Sequence, residues 1–374
     1  MIFLFSWTRV EIAIVVTASI IWVLYKLYNK DSGANRSEIF ISKKILGIIL
    51  IAIIVWAVLS GLGGFCKQSG DWSKHNAILR DLITYEWPVY YEVDGSRALL
   101  SYYILFYLFP ALIGKIGGGN FFAAEIALLF QCVVGLFILY LHLCHFLRLK
   151  EPYKQIAIFL LFLSFGGIVL LGKMMYGVLH PLEIGSSYHW FSNNVRIQYC
   201  TNIDLLRYVF PQCIIPWITT ILFMENPDRI EDFAWMGIPN FLYSSFAFVG
   251  LLPFYIGMAV FILIKDRNFK MWLSSIFSFQ NISAVFAVFP VFFIYIYGNI
   301  FQGKPDMVNL YINNYSGNWA LYIMFCLSNF AIYSLLIWKD ERKNIIFYIA
   351  NGILLILPFF SVNDIIKVYH FNTI

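Results

Sequence analysis

Residues 70–118 read GDWSKHNAILRDLITYEWPVYYEVDGSRALLSYYILFYLFPALIGKIGG, and the fold turns on how this stretch is understood. It is the first long interruption in a chain that is otherwise a succession of apolar runs. Asp71, Lys74, His75, Arg80, Asp81, Glu86, Glu92, Asp94 and Arg97 follow one another closely within it. A chain that has placed so much ionisable chemistry in one region reads as a scaffold holding a reactive face.

The surrounding composition says what kind of scaffold. Of 374 residues, 60% are hydrophobic and only 13% charged, against roughly half apolar and a quarter charged in a soluble domain. Mean hydropathy is +0.74. Runs such as 45–62 and 121–141 are continuously apolar over the roughly 20 residues that a helix needs to cross a hydrocarbon core. Barrel strands alternate apolar and polar, and these runs do not. The expected fold class is therefore an all-α integral membrane protein, a single multi-pass domain over residues 1–374. The apolar run 12–27 lacks a small-residue cleavage site and reads as an uncleaved first span.

Charge placement sets the expected topology. Four basic clusters separate apolar runs: Lys26/Lys30/Arg36/Lys43/Lys44, Arg148/Lys150/Lys154, Lys265/Arg267/Lys270 and Lys339/Arg342/Lys343. The positive-inside rule assigns all four to the cytoplasm, so an even number of spans separates neighbours. Spans over 10–27, 44–64, 121–141, 155–172, 209–224, 230–244, 245–264, 284–300, 320–338 and 345–357 satisfy that parity, roughly ten in all. Two outer loops result, 65–120 and 173–208. Within the first, 99–116 must begin and end outside, and its tyrosines (Tyr102, Tyr103, Tyr107) with Pro110 fit an interfacial or re-entrant helix.

Residues 71–87 read as an amphipathic helix with Ser69–Asp71 as its cap region. At about 100° per residue, Trp72, Ile78, Leu79, Leu82 and Ile83 share one arc, expected to lie on the membrane. Asp71 and His75 fall inside that arc, Lys74 and Asp81 flank it, and Arg80 and Thr84 point away. A carboxylate there can act as a general base, with His75 orienting it or binding an anion. Equally, Asp71 can cap the helix and pair locally with Lys74 or His75. In the second loop, Trp190 and Phe191 offer stacking faces, Asn193 and Asn194 bidentate donors, and Arg196 and Arg207 phosphate partners. An ordinary solvated loop with an interfacial tryptophan has the same composition. Glu125 and Gln131 lie in an apolar run and are expected to face the bundle interior. Gln212, between Pro211 and Pro216, reads as helix–helix glue at a kink.

Several chemistries find no pattern. The six cysteines show no C-x-x-C spacing, His180, Glu183 and His189 match no metal signature, and no nucleophile-elbow motif occurs. No basic patch with interleaved aromatics points to nucleic acid.

The segments DWSKHNAILRDL, WPVYY and LSYYILFYLFPALIGK, then SSYHWF, YCTN, FPQCIIPWI and SSFAFVGLLPF, resemble a family of bacterial multi-pass membrane proteins similar to the GT-C superfamily of glycosyltransferases. The resemblance runs over residues 70–254 and more faintly at Asn363–Asp364. It implies a GT-C-like bundle with interfacial helices in the first outer loop and a polyprenyl-phosphate sugar as donor. The acceptor would be a glycan or lipid-linked glycan at the outer face of the cytoplasmic (plasma) membrane. By position, Asp71 would deprotonate the acceptor hydroxyl for an inverting displacement. Lys74, His75, Arg80 and Arg207 would serve the donor phosphate, and Asp81 stands as an alternative acid. The usual acidic pair is here Asp71 followed by Trp72. No cofactor is required, although a divalent metal is compatible with this chemistry. Relatives of this type continue where this chain stops soon after Asp364, so a partner subunit is among the expected partners, beside membrane lipid. Two rival functions remain: an O-antigen or capsule polymerase relying on loop arginines, and a glycolipid transporter or flippase.

Overall fold

The computed structural model describes residues 1–32, 41–68, 70–93, 96–100, 102–166, 190–192, 195–197, 200–301, 327 and 345–360. Helices dominate. α1 (Ile2–Trp7), α2 (Val10–Ser32) and α3 (Lys43–Leu59) are followed by a 3-10 turn (Leu62–Gly64) and α4 (Trp72–Thr84). A hairpin, β1 (Tyr90–Val93) and β2 (Ser96–Leu99), leads into α5 (Leu105–Ile116), α6 (Phe121–Phe146) and α7 (Pro152–Ser164). A second hairpin, β3 (Trp190–Ser192) and β4 (Val195–Ile197), precedes α8 (Asn202–Glu225). A 3-10 turn (Ile230–Asp232), α9 (Phe233–Tyr243), α10 (Ser245–Asp266), α11 (Phe269–Ile276), α12 (Phe279–Phe301) and α13 (Ile345–Phe360) complete the described chain. Both hairpins are antiparallel, with Glu92 opposite Arg97 in the first and Phe191 opposite Arg196 in the second.

The long helices start where side chains can satisfy their free amides. Ser42 accepts from the Ile45 amide, Asn120 from Ala123 and Thr201 from Asp204. What distinguishes them from soluble helices is that both faces are apolar. On α3 the buried stripe is Ile45, Ile49, Ile53 and Trp56, while Ile48, Ile51 and Val55 are exposed on the other side. On α6, Phe122, Ile126, Phe130, Val134 and Ile138 form a second exposed stripe opposite Leu128, Cys132 and Leu136. Such belts are stable against lipid and not against water.

Among the described residues, five stretches are long and apolar enough to cross a membrane: Val10–Asn29, Phe121–Phe146, Asn202–Glu225, Ala247–Asp266 and Phe269–Phe293, the last across a break at Phe277. The protein is a helical membrane protein. Several expected spans come out shorter: α7 stops at Ser164, and α9 has 11 residues. At about 1.5 Å per residue α9 covers roughly 16 Å, about half a hydrocarbon core. It ends where expected, before Ser244, but starts at Phe233, because Ile230–Asp232 forms a 3-10 turn. The expected span 320–338 lies outside the described residues. α5 has 12 residues, about 18 Å, as an interfacial or re-entrant segment would.

Contacts orient the bundle. Glu225, at the end of α8, accepts from His142 Nδ1 (2.9 Å) and His145 Nδ1 (2.8 Å) at the end of α6. Ser278 Oγ, before α12, donates to the Glu231 carbonyl just beyond α8 (2.6 Å). Lys26, near the end of α2, lies 5.5 Å from the centre of the Phe279 ring. Three of the four basic clusters therefore gather at one end of the bundle, and the fourth, Lys339/Arg342/Lys343, lies outside the described residues. α3 runs to the opposite end, where Gly64 meets Glu125 near the start of α6. α4 and α5 sit at that opposite end.

Candidate functional site

α4 carries the site, and its seating follows from its periodicity. Trp72, Ile78, Leu79, Leu82 and Ile83 are all buried, as one continuous arc. The arc rests on protein, not on the bilayer: Trp72 stacks on Phe210 of α8 at 5.1 Å, and Ile83 lies against Gly114 of α5.

His75 lies in the same arc and is sealed. It is 1% exposed. Its Nε2–H donates to the Tyr208 carbonyl at 2.9 Å, since a carbonyl can only accept. Nδ1 is therefore the bare nitrogen and accepts the Tyr107 hydroxyl at 2.5 Å. Phe210 covers the ring at 4.8 Å. Burial is the main cause that lowers the His75 pKa from 6.5 to about 4, so the ring is neutral at ordinary pH. A neutral, enclosed imidazole with both nitrogens engaged does not bind an anion. His75 joins α4 to α5 and α8, and its place is structural.

The helix of which Tyr208 is part is kinked to make that contact. Val209 leaves helical geometry (φ −137°, ψ 35°) two residues before Pro211. Pro211 has no N–H for the Arg207 carbonyl, and its ring crowds that carbonyl, so the turn opens.

Asp71, one turn before His75, has the opposite fate. Its side chain is 49% exposed, and Lys74 Nζ stands 3.8 Å away. The expectation that Asp71 shares the buried arc is corrected here: residue 71 precedes the first helical residue, where the chain turns outward at Gly70 (φ 66°). Nor does its carboxylate cap α4, which has no side-chain cap. The ion pair is exposed at both partners and contributes well under about 1 kcal/mol to stability.

Around Asp71 and Lys74 three segments converge. Lys74 Nζ lies 5.0 Å from the Tyr102 ring centre. Gln212 Nε2 of α8 donates to the Tyr102 hydroxyl at 3.2 Å. Tyr208 packs against Gly70, and the Arg207 guanidinium stands 5.3 Å from the Tyr208 ring centre. A solvent-open carboxylate, a lysine, an arginine and two tyrosines thus share one corner of the bundle, at the end away from the basic clusters.

Behind it a polar chain holds the connection from α3. Asn76 Nδ2 donates to Gln68 Oε1 (2.6 Å), and Gln68 Nε2 donates to Glu125 Oε1 (3.1 Å) and to the Gly61 carbonyl (2.9 Å). Glu125 faces inward as expected, and so does Gln131, which donates to the Phe106 carbonyl at 2.9 Å.

The remaining candidates are elsewhere. Asp81 is ten residues along α4 from Asp71, about 15 Å away, and accepts the Tyr91 hydroxyl at 2.5 Å. Arg80 stands 5.3 Å from the Phe121 ring centre at that far end of α4. Neither shares the Asp71 corner. Trp190 and Arg196 belong to the β3–β4 hairpin by their backbone. Asn193 and Asn194, with His180, Glu183 and His189, lie outside the described residues. Among the described residues no group of three His, Cys, Asp or Glu side chains could hold a metal ion.

Sequence reasoning passed over Tyr102, Tyr107 and Tyr208 as site residues. Tyr102 and Tyr107 were visible as an aromatic face; Tyr208 carried no local signal, because what it offers His75 is a backbone carbonyl. No family model, curated protein or solved structure matches this chain.

Proposed function

We propose that this protein is a membrane glycosyltransferase that moves a sugar from a polyprenyl-phosphate donor to a cell-envelope glycan or glycolipid. On this reading the bundle is GT-C-like, with about ten spans, and works at the outer face of the cytoplasmic membrane. One observation carries the reading. Asp71 is open to solvent on a helix whose next turn is locked by His75, with Lys74, Arg207 and two tyrosines around it. A base must be reachable by substrate, which the Asp71 carboxylate is, and the anchored His75 fixes the turn of backbone that follows it.

In the reaction Asp71 takes the proton of the acceptor hydroxyl. The oxygen forms a bond to the anomeric carbon, the bond from that carbon to the phosphate oxygen breaks, and polyprenyl phosphate leaves with the electron pair. The anomeric carbon is inverted. Lys74 and Arg207 offset the charge of the departing phosphate, while Tyr102 and Tyr208 offer faces to the sugar. His75 positions Asp71 and does not touch substrate. The basic clusters at the other end support an outward-facing site through the positive-inside rule.

The test is sugar transfer in proteoliposomes with a panel of polyprenyl-phosphate sugars, comparing the native chain with Asp71→Asn. The swap keeps size and removes the base, and transfer should fall about 10²–10⁴-fold with unchanged thermal unfolding. Equal transfer by both proteins would remove Asp71 from the mechanism.

A further inference from the structure

We propose that α11 lies in the plane of the membrane interface and that Lys265, Arg267 and Lys270 beside it bind the head groups of anionic phospholipids. This rests on observations separate from the transferase reading, at the opposite end of the bundle.

α10 closes the crossing stretch Ala247–Asp266, and α12 (Phe279–Phe301, 23 residues) is by itself long enough to cross a membrane, separated from α11 by the break at Phe277. The segment between them therefore sits at a membrane boundary. Lys26, at cation–π distance from Phe279, marks that boundary as the one bearing the basic clusters. α11 itself reads FKMWLSSI, with Phe269, Trp272, Leu273 and Ile276 at the i, i+3, i+4, i+7 spacing of a single stripe. Yet none of its residues is buried. Trp272 and Ile276 rest against the cluster of Phe223, Phe233 and Tyr255, while Phe269, stacked on Trp272 at 5.8 Å, stays 61% exposed and Met271, on the other side of the helix, 55% exposed.

Depth follows from one hydrogen bond. Trp272 Nε1 donates to the Ala259 carbonyl at 2.8 Å. Ala259 lies seven residues before the end of α10, about 10 Å along its axis. The indole therefore sits roughly 10 Å below the helix end, the depth at which interfacial amphipathic helices bury their apolar side. The exposed Phe269, on the same stripe as Trp272, is then in the acyl boundary and not in water.

The cations are placed to match. Lys265, Arg267 and Lys270 are all exposed, and among the described residues none of them makes an ion pair. Arg267 takes a left-handed conformation (φ 51°) that closes α10 and turns the chain into α11. Asp266 is the one acidic side chain in residues 265–270, so the turn is net positive. An apolar flank at interface depth, edged by exposed cations that make no ion pair among the described residues, is complementary to a head-group layer of negative charge.

The experiment uses the purified full chain in detergent, titrated with phosphatidylglycerol or with phosphatidylcholine while its thermal unfolding midpoint is followed. Phosphatidylglycerol should raise the midpoint saturably, and phosphatidylcholine should not. Lys265→Gln/Arg267→Gln/Lys270→Gln should weaken phosphatidylglycerol binding about fivefold for each charge removed, roughly a hundredfold in all. Raising salt to about 1 M should weaken the native chain similarly. Should the triple variant fold poorly, Lys270→Gln alone reads the fivefold step. Equal responses to the two lipids, or a triple variant that titrates like the native chain, would overturn the site and leave α11 as a surface for a protein partner.

Discussion

Acid should destabilise this protein through His75, and the size of the effect follows from its burial. The imidazole has a pKa near 6.5 in the unfolded chain and about 4 when enclosed by Tyr107, Tyr208 and Phe210. Because the folded value is the lower one, the unfolded chain takes up the proton first as pH falls. Stability from this site is fully present above about pH 6.5, drains as pH drops toward 4, and is gone below that. At 1.36 kcal/mol per pH unit, the gap between 6.5 and about 4 corresponds to about 3 kcal/mol. His75→Gln isolates the effect, since its amide can still donate to the Tyr208 carbonyl and accept from Tyr107 but does not titrate. Denaturant unfolding of both proteins in detergent at pH 7.5, 5.5 and 4, followed by tryptophan fluorescence, cancels the carboxylates and the other histidines common to both. The native chain should lose about 3 kcal/mol more than the variant between the ends of that range. Parallel pH curves would refute the burial argument, and with it the claim that His75 is neutral and locked.

Two further substitutions probe the scaffold. Gly64→Ala places a Cβ 2.4 Å from Glu125 Oε2 at a backbone φ of 73°, and should destabilise by about 2–3 kcal/mol in a thermal melt; a change below about 0.5 kcal/mol would mean that the Gln68–Glu125 connection is slack. Thr219→Val removes the hydroxyl that donates to Asn240 Oδ1 at 2.6 Å inside the bundle, where Asn240 is fully buried. It should cost about 1–2 kcal/mol, and Asn240→Leu in the same chain should recover most of that loss if the pair is isolated from other partners.

Much of the architecture was legible in the residues, for local reasons. Helix starts at Ser42 and Asn120, close to the expected 44 and 121, follow from side chains that accept nearby amides, whereas α8 starts after Thr201, seven residues before the expected 209 and inside the expected loop. The arc of Trp72, Ile78, Leu79, Leu82 and Ile83 is buried because helical periodicity puts those side chains on one face. Span lengths were less legible. The expected span 230–244 begins only at Phe233, because Ile230–Asp232 turns as a 3-10 segment, and α7 stops at Ser164, short of the expected 172; an apolar window does not register where a helical backbone starts or stops bonding.

By itself the sequence determined that this is a helical membrane protein, because its long runs are apolar on every side and only lipid tolerates that. It also placed Asp71 and His75 next to one another on one helix. Which of the two would be sealed and which left open was decided only by the tertiary structure. The partners that enclose His75 come from 32 and 133 residues away in the chain, and one of them is a backbone carbonyl, which the identity of residue 208 does not reveal. Burial depends on what arrives from elsewhere, so the division of roles between a locked histidine and an open carboxylate exists only once α4, α5 and α8 have packed together.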